Sequence, residues 1–93
     1  MLEFEWDEAK AAENLSKHGI SFELAAQAFI DPNGLEWIDD RETYGEERTI
    51  LLCAAQGHVL CVVYTERDER VRIISARKAT RREKSNYHRQ EAP

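Results

Sequence analysis

Long apolar runs are missing from this 93-residue chain. The longest, Ile50 to Ala55 and Val59 to Tyr64, fall far short of the ~20 residues a membrane helix needs. No basic leader or apolar signal core stands at the start, so neither secretion nor membrane insertion is expected. Glycine is scarce, and its four residues stand singly at 19, 34, 45 and 57, so no glycine-rich loop is present to cradle a phosphate. There are two cysteines, Cys53 and Cys61, in neither a C-x-x-C nor a Cys/His metal spacing. The three histidines, His18, His58 and His88, fall in different elements, so a metal site would require distant convergence. No metal or cofactor is expected, and the thiols read as buried groups in a reducing cytoplasm. A two-residue turn at Gln56-Gly57 would point the cysteines to opposite faces, whereas a three-residue turn would set them opposite each other. A catalytic cysteine is the alternative reading.

What is present is apolar enough to fold, at 42% hydrophobic residues. Residues 1–93 suit a single domain with a thin core. The net charge of −5 hides an asymmetry. Residues 1–66 carry 4 Lys+Arg against 14 Asp+Glu, a net of −10, whereas residues 67–93 carry 9 against 4, a net of +5. A basic third on an acidic body suits a phosphate-facing surface or an acidic partner; a solvated charged face is the bland alternative.

Periodicity supplies the elements. Leu2, Phe4 and Trp6 alternate with Glu3 and Glu5, as in a half-buried strand. Asp7 caps a helix over Glu8–His18, stopped by Gly19. Ser21 caps a second, with Phe22, Ala25, Ala26 and Phe29 as its apolar stripe, ended by Asp31-Pro32-Asn33-Gly34. Strands are expected over Leu35–Ile38, Arg48–Ala55, His58–Thr65 and Arg70–Lys78, with a polar loop over Asp39–Glu46. Thr80 and Glu83 form a capping box for a last helix to about Gln90, whose only large apolar residue is Tyr87. So poor a stripe suggests a helix held loosely or waiting for a partner, and trimming after Lys78 is expected to weaken partner binding more than folding. The order β-α-α-β-β-β-β-α is an α+β arrangement, two early helices packed on a mainly antiparallel sheet.

The strand Arg70–Lys78 is the unusual one. Strict alternation puts Val71, Ile73, Ser75 and Arg77 on one face and Arg72, Ile74, Ala76 and Lys78 on the other. Arginine on both faces of a central strand means edge salt bridges, with Glu47, Glu66 or Glu69 at hand, or a functional groove extended by Arg67, Arg81 and Arg82. Guanidinium groups fork onto phosphates and stack on bases. Lys17 and His18 end the first helix, where His18 is either a helix-end cation or an acid–base group.

Set in order, these segments carry a family pattern: Phe4-Glu-Trp-Asp7 with Lys10 and Asn14; Lys17-His-Gly-Ile-Ser-Phe22; Gly45-Glu-Glu-Arg48; Val63-Tyr-Thr-Glu-Arg67; and Arg72-Ile-Ile-Ser-Ala-Arg77, followed by Thr80, Glu83 and Tyr87. The sequence resembles the BrnT toxins of bacterial toxin–antitoxin systems, which have a RelE-like fold. The resemblance implies a ribonuclease that cuts RNA and blocks translation. It implies a partner too, a BrnA-type ribbon-helix-helix antitoxin through which alone the toxin would meet operator DNA. Metal-independent cleavage would send a ribose 2′-hydroxyl onto the adjacent phosphate. Arg77 and Arg67 are then expected at the phosphate with Arg48 near by, His18 as acid–base group, and Tyr64 in reserve. Arg72, Lys78, Arg81, Arg82 and Lys17 would bind RNA. A non-catalytic module whose basic C-terminal region docks a partner is the rival, and a plain structural domain with edge arginines a third reading.

Overall fold

The computed structural model describes residues 2–41, 43 and 45–93. Two positions of the expected Asp39–Glu46 loop, 42 and 44, lie outside the described residues. The elements run β1 (Phe4–Glu5), α1 (Glu8–His18), α2 (Phe22–Ala28), β2 (Leu35–Asp39), β3 (Arg48–Ala55), β4 (His58–Arg67), β5 (Arg70–Lys78) and α3 (Arg81–Arg89). This is the expected α+β order. The strands form one mixed sheet in the order β1-β5-β4-β3-β2, with β1 parallel to β5 and every other pair antiparallel. β1 is shorter than its alternating sequence suggested, because it pairs with only Val71 and Arg72 of β5.

Local chemistry sets the element ends. The Asp7 carboxylate accepts from the Lys10 amide at 3.0 Å, and Ser21 Oγ accepts from the Leu24 amide at 3.0 Å. Gly19, at φ +70°, donates to the Leu15 carbonyl and turns the chain from α1 into α2. β3 and β4 meet in a two-residue turn with positive φ at both Gln56 and Gly57. That register pairs Cys53 with Leu60 and Cys61 with Leu52, so the free thiols face opposite sides of the sheet.

The sheet is covered on both faces, as its Val- and Ile-rich central strands require. On one face α1 and α2 bury Phe22, Ala25 and Ala28 against Leu51, Leu60, Val62, Ile73 and Ala76. The outer edge of β5 passes beyond the two-residue β1, and there Asn14 of α1 stands in for a strand. Its Oδ1 accepts from the Ala76 amide at 3.1 Å, while its Nδ2 donates to the Ala76 carbonyl at 2.8 Å and the Ile20 carbonyl at 2.9 Å.

On the other face α3 packs on Leu52, Val59 and Cys61 through Tyr87, which is buried. Polar clamps supplement this narrow apolar contact. Tyr87 donates to Asp31 Oδ2 at 2.5 Å, Gln90 donates to the Asn33 carbonyl, and Arg77 forms a two-bond pair with Glu83. The expectation of a loosely held helix is therefore corrected. One buried aromatic and three side-chain clamps make α3 part of the fold, and trimming after Lys78 should cost folding as well as binding.

Candidate active site

A β-bulge creates the site. Val63 pairs with Ser75 but Tyr64 pairs with Ile73, which leaves Ile74 as an extra residue in β5. Strict alternation fails at that point. Val71, Ile73 and Ala76 share the face under α1 and α2, and Arg72, Ser75 and Arg77 share the other. Arg72 and Arg77, expected on opposite faces, thus stand on one.

That face is ordered in cross-strand rows. Leu35, Leu52, Cys61 and Arg77 form the row beside α3; Trp37, Ile50, Val63 and Ser75 form the next. In the third, Asp39 pairs with Arg48, and Thr65 pairs with Arg72, which pairs in turn with Glu5. The Trp37 row is an apolar strip between rows that carry arginines, Arg77 on one side and Arg48 and Arg72, with Asp39 and Glu5, on the other, and α3 borders the Arg77 row.

Each guanidinium on this face is anchored by a carboxylate. Arg77 Nη1 and Nη2 donate to the two Glu83 oxygens at 2.7 and 3.0 Å. Arg72 donates to Glu5 at 2.8 Å, and Arg41 donates twice to Asp39, at 2.7 and 2.8 Å. Arg48 and Arg67 share Glu46, at 3.3 and 3.4 Å. With Arg70, which donates to Glu3 at 3.2 Å, six guanidiniums stand against five carboxylates, and the Asp39 side chain is 1% exposed. The salt-bridge alternative was right in kind, but its partners come from β1, β2, the loop before β3 and α3 rather than from Glu47, Glu66 or Glu69.

The electrostatics suit an anion. The Arg77 hydrogen bonds hold the Glu83 carboxyl at about 2, against an ordinary value of 4.5, assisted by the Thr80 amide. The same bonds to Glu83 raise Arg77, opposed by burial and by the positive charge of Arg41. Sequence reading missed Arg41 and Trp37, which belong to a short edge strand and the loop after it. A Trp two residues from an Asp-Asp-Arg run was the available signal.

Glu83 makes a testable link to pH. Its carboxyl is depressed in the fold, so its stabilisation is complete above pH 4.5 and is lost as pH falls towards 2. Glu83→Gln keeps the capping-box geometry but not the charge. It should cost on the order of 1–2 kcal/mol at neutral pH, discounted for the solvent that reaches Arg77, with the difference from wild type vanishing near pH 2. Urea midpoints measured across that range check this.

The remaining expected site residues lie elsewhere. Tyr64 is on the opposite face, buried under α2 with its ring against Phe29, and its hydroxyl donates to Glu36 at 2.8 Å. Burial and Glu36 push that phenol well up, which makes it a poor base. His18 and Lys17 are exposed at the end of α1 and line a hollow of about 260 Å³ with Lys10, Glu13, Asn14, Ile74 and Ser75. Lys78 pairs with Leu60 and so takes the α1 and α2 side of the sheet. Arg81 and Arg82 line an open hollow on α3 with Ser85, Asn86 and Arg89. Burial raises the Cys53 thiol to about 12 and the Cys61 thiol to about 11, so neither is a thiolate nucleophile. Among the described residues no three His, Cys, Asp or Glu side chains are grouped to hold a metal ion, and no helix is long and apolar enough to cross a membrane.

No curated protein matches the chain. The family model described as the ribonuclease toxin BrnT of type II toxin–antitoxin systems matches residues 6–83, a span that holds β2 to β5, the bulge and the Arg77–Glu83 pair. The chain belongs to the BrnT family of ribonuclease toxins.

Proposed function

We propose that this protein is a toxin that cleaves RNA on the arginine-bearing face of its RelE-like sheet, without a metal ion, and so inhibits translation in the cytoplasm. The observation that carries the reading is the bulge at Ile74, which sets Arg72 and Arg77 on the face that also bears Arg48. In the reaction the ribose 2′-oxygen bonds to phosphorus and the bond to the 5′-oxygen breaks. The products are a cyclic phosphate and a free 5′-hydroxyl, whose oxygen takes its proton from solvent water as the bond to phosphorus breaks. Negative charge builds on the phosphoryl oxygens, where fixed guanidiniums are most effective. Arg77 and Arg48 bind the phosphate, with Arg67, Arg72 and Arg41 around them. Glu46, shared by Arg48 and Arg67, is the carboxylate that takes the 2′-hydroxyl proton. Tyr64 takes no part in this account, because its side chain lies on the opposite face, and neither does His18, which stands at the end of α1, a helix packed on that face.

The partner in this reading is a BrnA-type ribbon-helix-helix antitoxin, which joins the toxin to operator DNA. Exposed Arg81, Arg82 and Arg89 on α3 offer an acidic antitoxin segment a basic ridge. The rival is a module that docks the antitoxin through that ridge and cuts nothing; it is favoured by the carboxylate that each arginine of the sheet face already holds. One experiment separates them. Purified protein is incubated with end-labelled RNA in EDTA, and products are tested for a cyclic phosphate end. Cleavage that persists in EDTA is expected. Intact RNA, together with normal growth of cells expressing the chain alone, would establish the docking module instead.

A further inference from the structure

Resting on that reading, we infer that the site takes single-stranded RNA, with one unpaired base stacked on the indole of Trp37. The row Trp37–Ile50–Val63–Ser75 is neutral and spans four strands, about 14 Å at the usual strand spacing. The rows on either side carry Arg77, and Arg48 with Arg72. Trp37 is half-buried, packed at its base against the Ile50 and Leu52 cluster. A side chain so placed is fixed, and it keeps part of its surface for a ligand.

The surroundings fix the occupant. A purely apolar partner would strip water from the paired guanidiniums and carboxylates and offer them nothing polar in return. A bare phosphate would leave the apolar strip wet. A nucleotide satisfies both, its phosphates on the arginines and its base on the indole. A duplex fails, because its bases are stacked inside the helix and present no face to an indole. The chain's other tryptophan, Trp6, is on the far side, edge-on to Phe22, and cannot serve. The platform belongs to β2 and the phosphate-binding Arg77 to β5, so the site holds the strand across the sheet rather than along one element.

The test uses the full chain carrying Trp6→Phe, which leaves Trp37 as the sole indole emitter. A 2′-O-methyl oligonucleotide, which cannot be cleaved at a 2′-hydroxyl, is the probe. Titration with the single strand should quench Trp37 emission; the same sequence as a duplex should not. Trp37→Ala should weaken binding of the single strand about tenfold or more, Trp37→Phe much less, and neither should change binding of an abasic strand of equal length. That last comparison separates stacking from loss of fold, since a misfolded variant would bind both strands poorly. RNA cleavage without Trp37 quenching, or equal loss for abasic and base-bearing strands, would overturn the stacking site and leave the ribonuclease reading standing. Failure to bind or cleave any RNA would overturn both.

Discussion

Arg77→Ala is expected to lower RNA cleavage about 10³-fold and to restore growth to cells that express the chain without antitoxin. Arg77 is held at both ends. It is fixed at the backbone by pairing with Cys61 and at its tip by a two-bond pair with Glu83. Such a group needs little reorganisation when charge develops at a phosphate, and that is where electrostatic catalysis gains most. The fold should tolerate the change better than the chemistry does. Glu83, left behind, still accepts from the Thr80 amide and is 22% exposed, so water can complete its shell. Arg77→Lys separates charge from geometry. An ammonium keeps the positive charge but loses the fork, so activity between the two extremes is expected. Growth that stays arrested in Arg77→Ala at equal protein level would remove Arg77 from the phosphate.

The pairing with Glu83 has a cost for that activity. A carboxylate held near 2 stays ionised at every physiological pH and competes with phosphate for the same N–H groups. An RNA phosphate must share the guanidinium or displace the carboxylate. Salt should therefore oppose cleavage, since it screens each arginine–phosphate contact, while the acidic body of the chain, whose repulsion salt also screens, leaves binding to depend on those local contacts.

How much of this was legible in the sequence depended on range. Caps and turns depend on residues a few positions apart, and Asp7, Ser21, Gly19 and the Thr80–Glu83 box all read directly. β3 and β4 read as strands just as well, because each is an apolar run bounded by turn residues, although the sequence leaves their register open between two turn lengths. The faces of β5 did not read, because its bulge follows from the register against β4 and no residue in Arg70–Lys78 announces it. One extra residue moved Ser75 and Arg77 relative to Val71, and the candidate site followed from that shift. The same limit hid the ion pairs. Glu5 and Arg72 are 67 positions apart in sequence, so only the parallel pairing of β1 with β5 brings them together. α3 was misjudged for a related reason. Its one apolar residue looked too little to dock a helix, and Asp31, which holds the Tyr87 hydroxyl, is 56 positions away.

Asn14→Leu is expected to be the most damaging single substitution to stability, at about 3–5 kcal/mol. Leucine is nearly the same size and is a better helix former, so propensity and volume argue for tolerance. Hydrogen bonding decides the other way. Asn14 is 7% exposed, and its amide satisfies the Ala76 N–H, the Ala76 carbonyl and the Ile20 carbonyl together. Leucine would leave all three buried groups unpaired, two on a strand edge that β1 is too short to cover and one, the Ile20 carbonyl, in the link between α1 and α2. For a domain of this size the loss should lower Tm by roughly 15–30 °C, enough to unfold much of the protein at growth temperature. Asn14→Asp sharpens the test. It keeps an acceptor for the Ala76 amide, but it sets a carboxylate against two carbonyl oxygens. Its instability should therefore ease as pH falls and the carboxyl gains a proton to donate. Thermal melts of both variants between pH 4 and 7 check this. A pH-independent Asn14→Asp, or an Asn14→Leu as stable as wild type, would show that water rather than Asn14 completes the edge of β5, and that Arg77, one residue from Ala76, is positioned by the sheet alone.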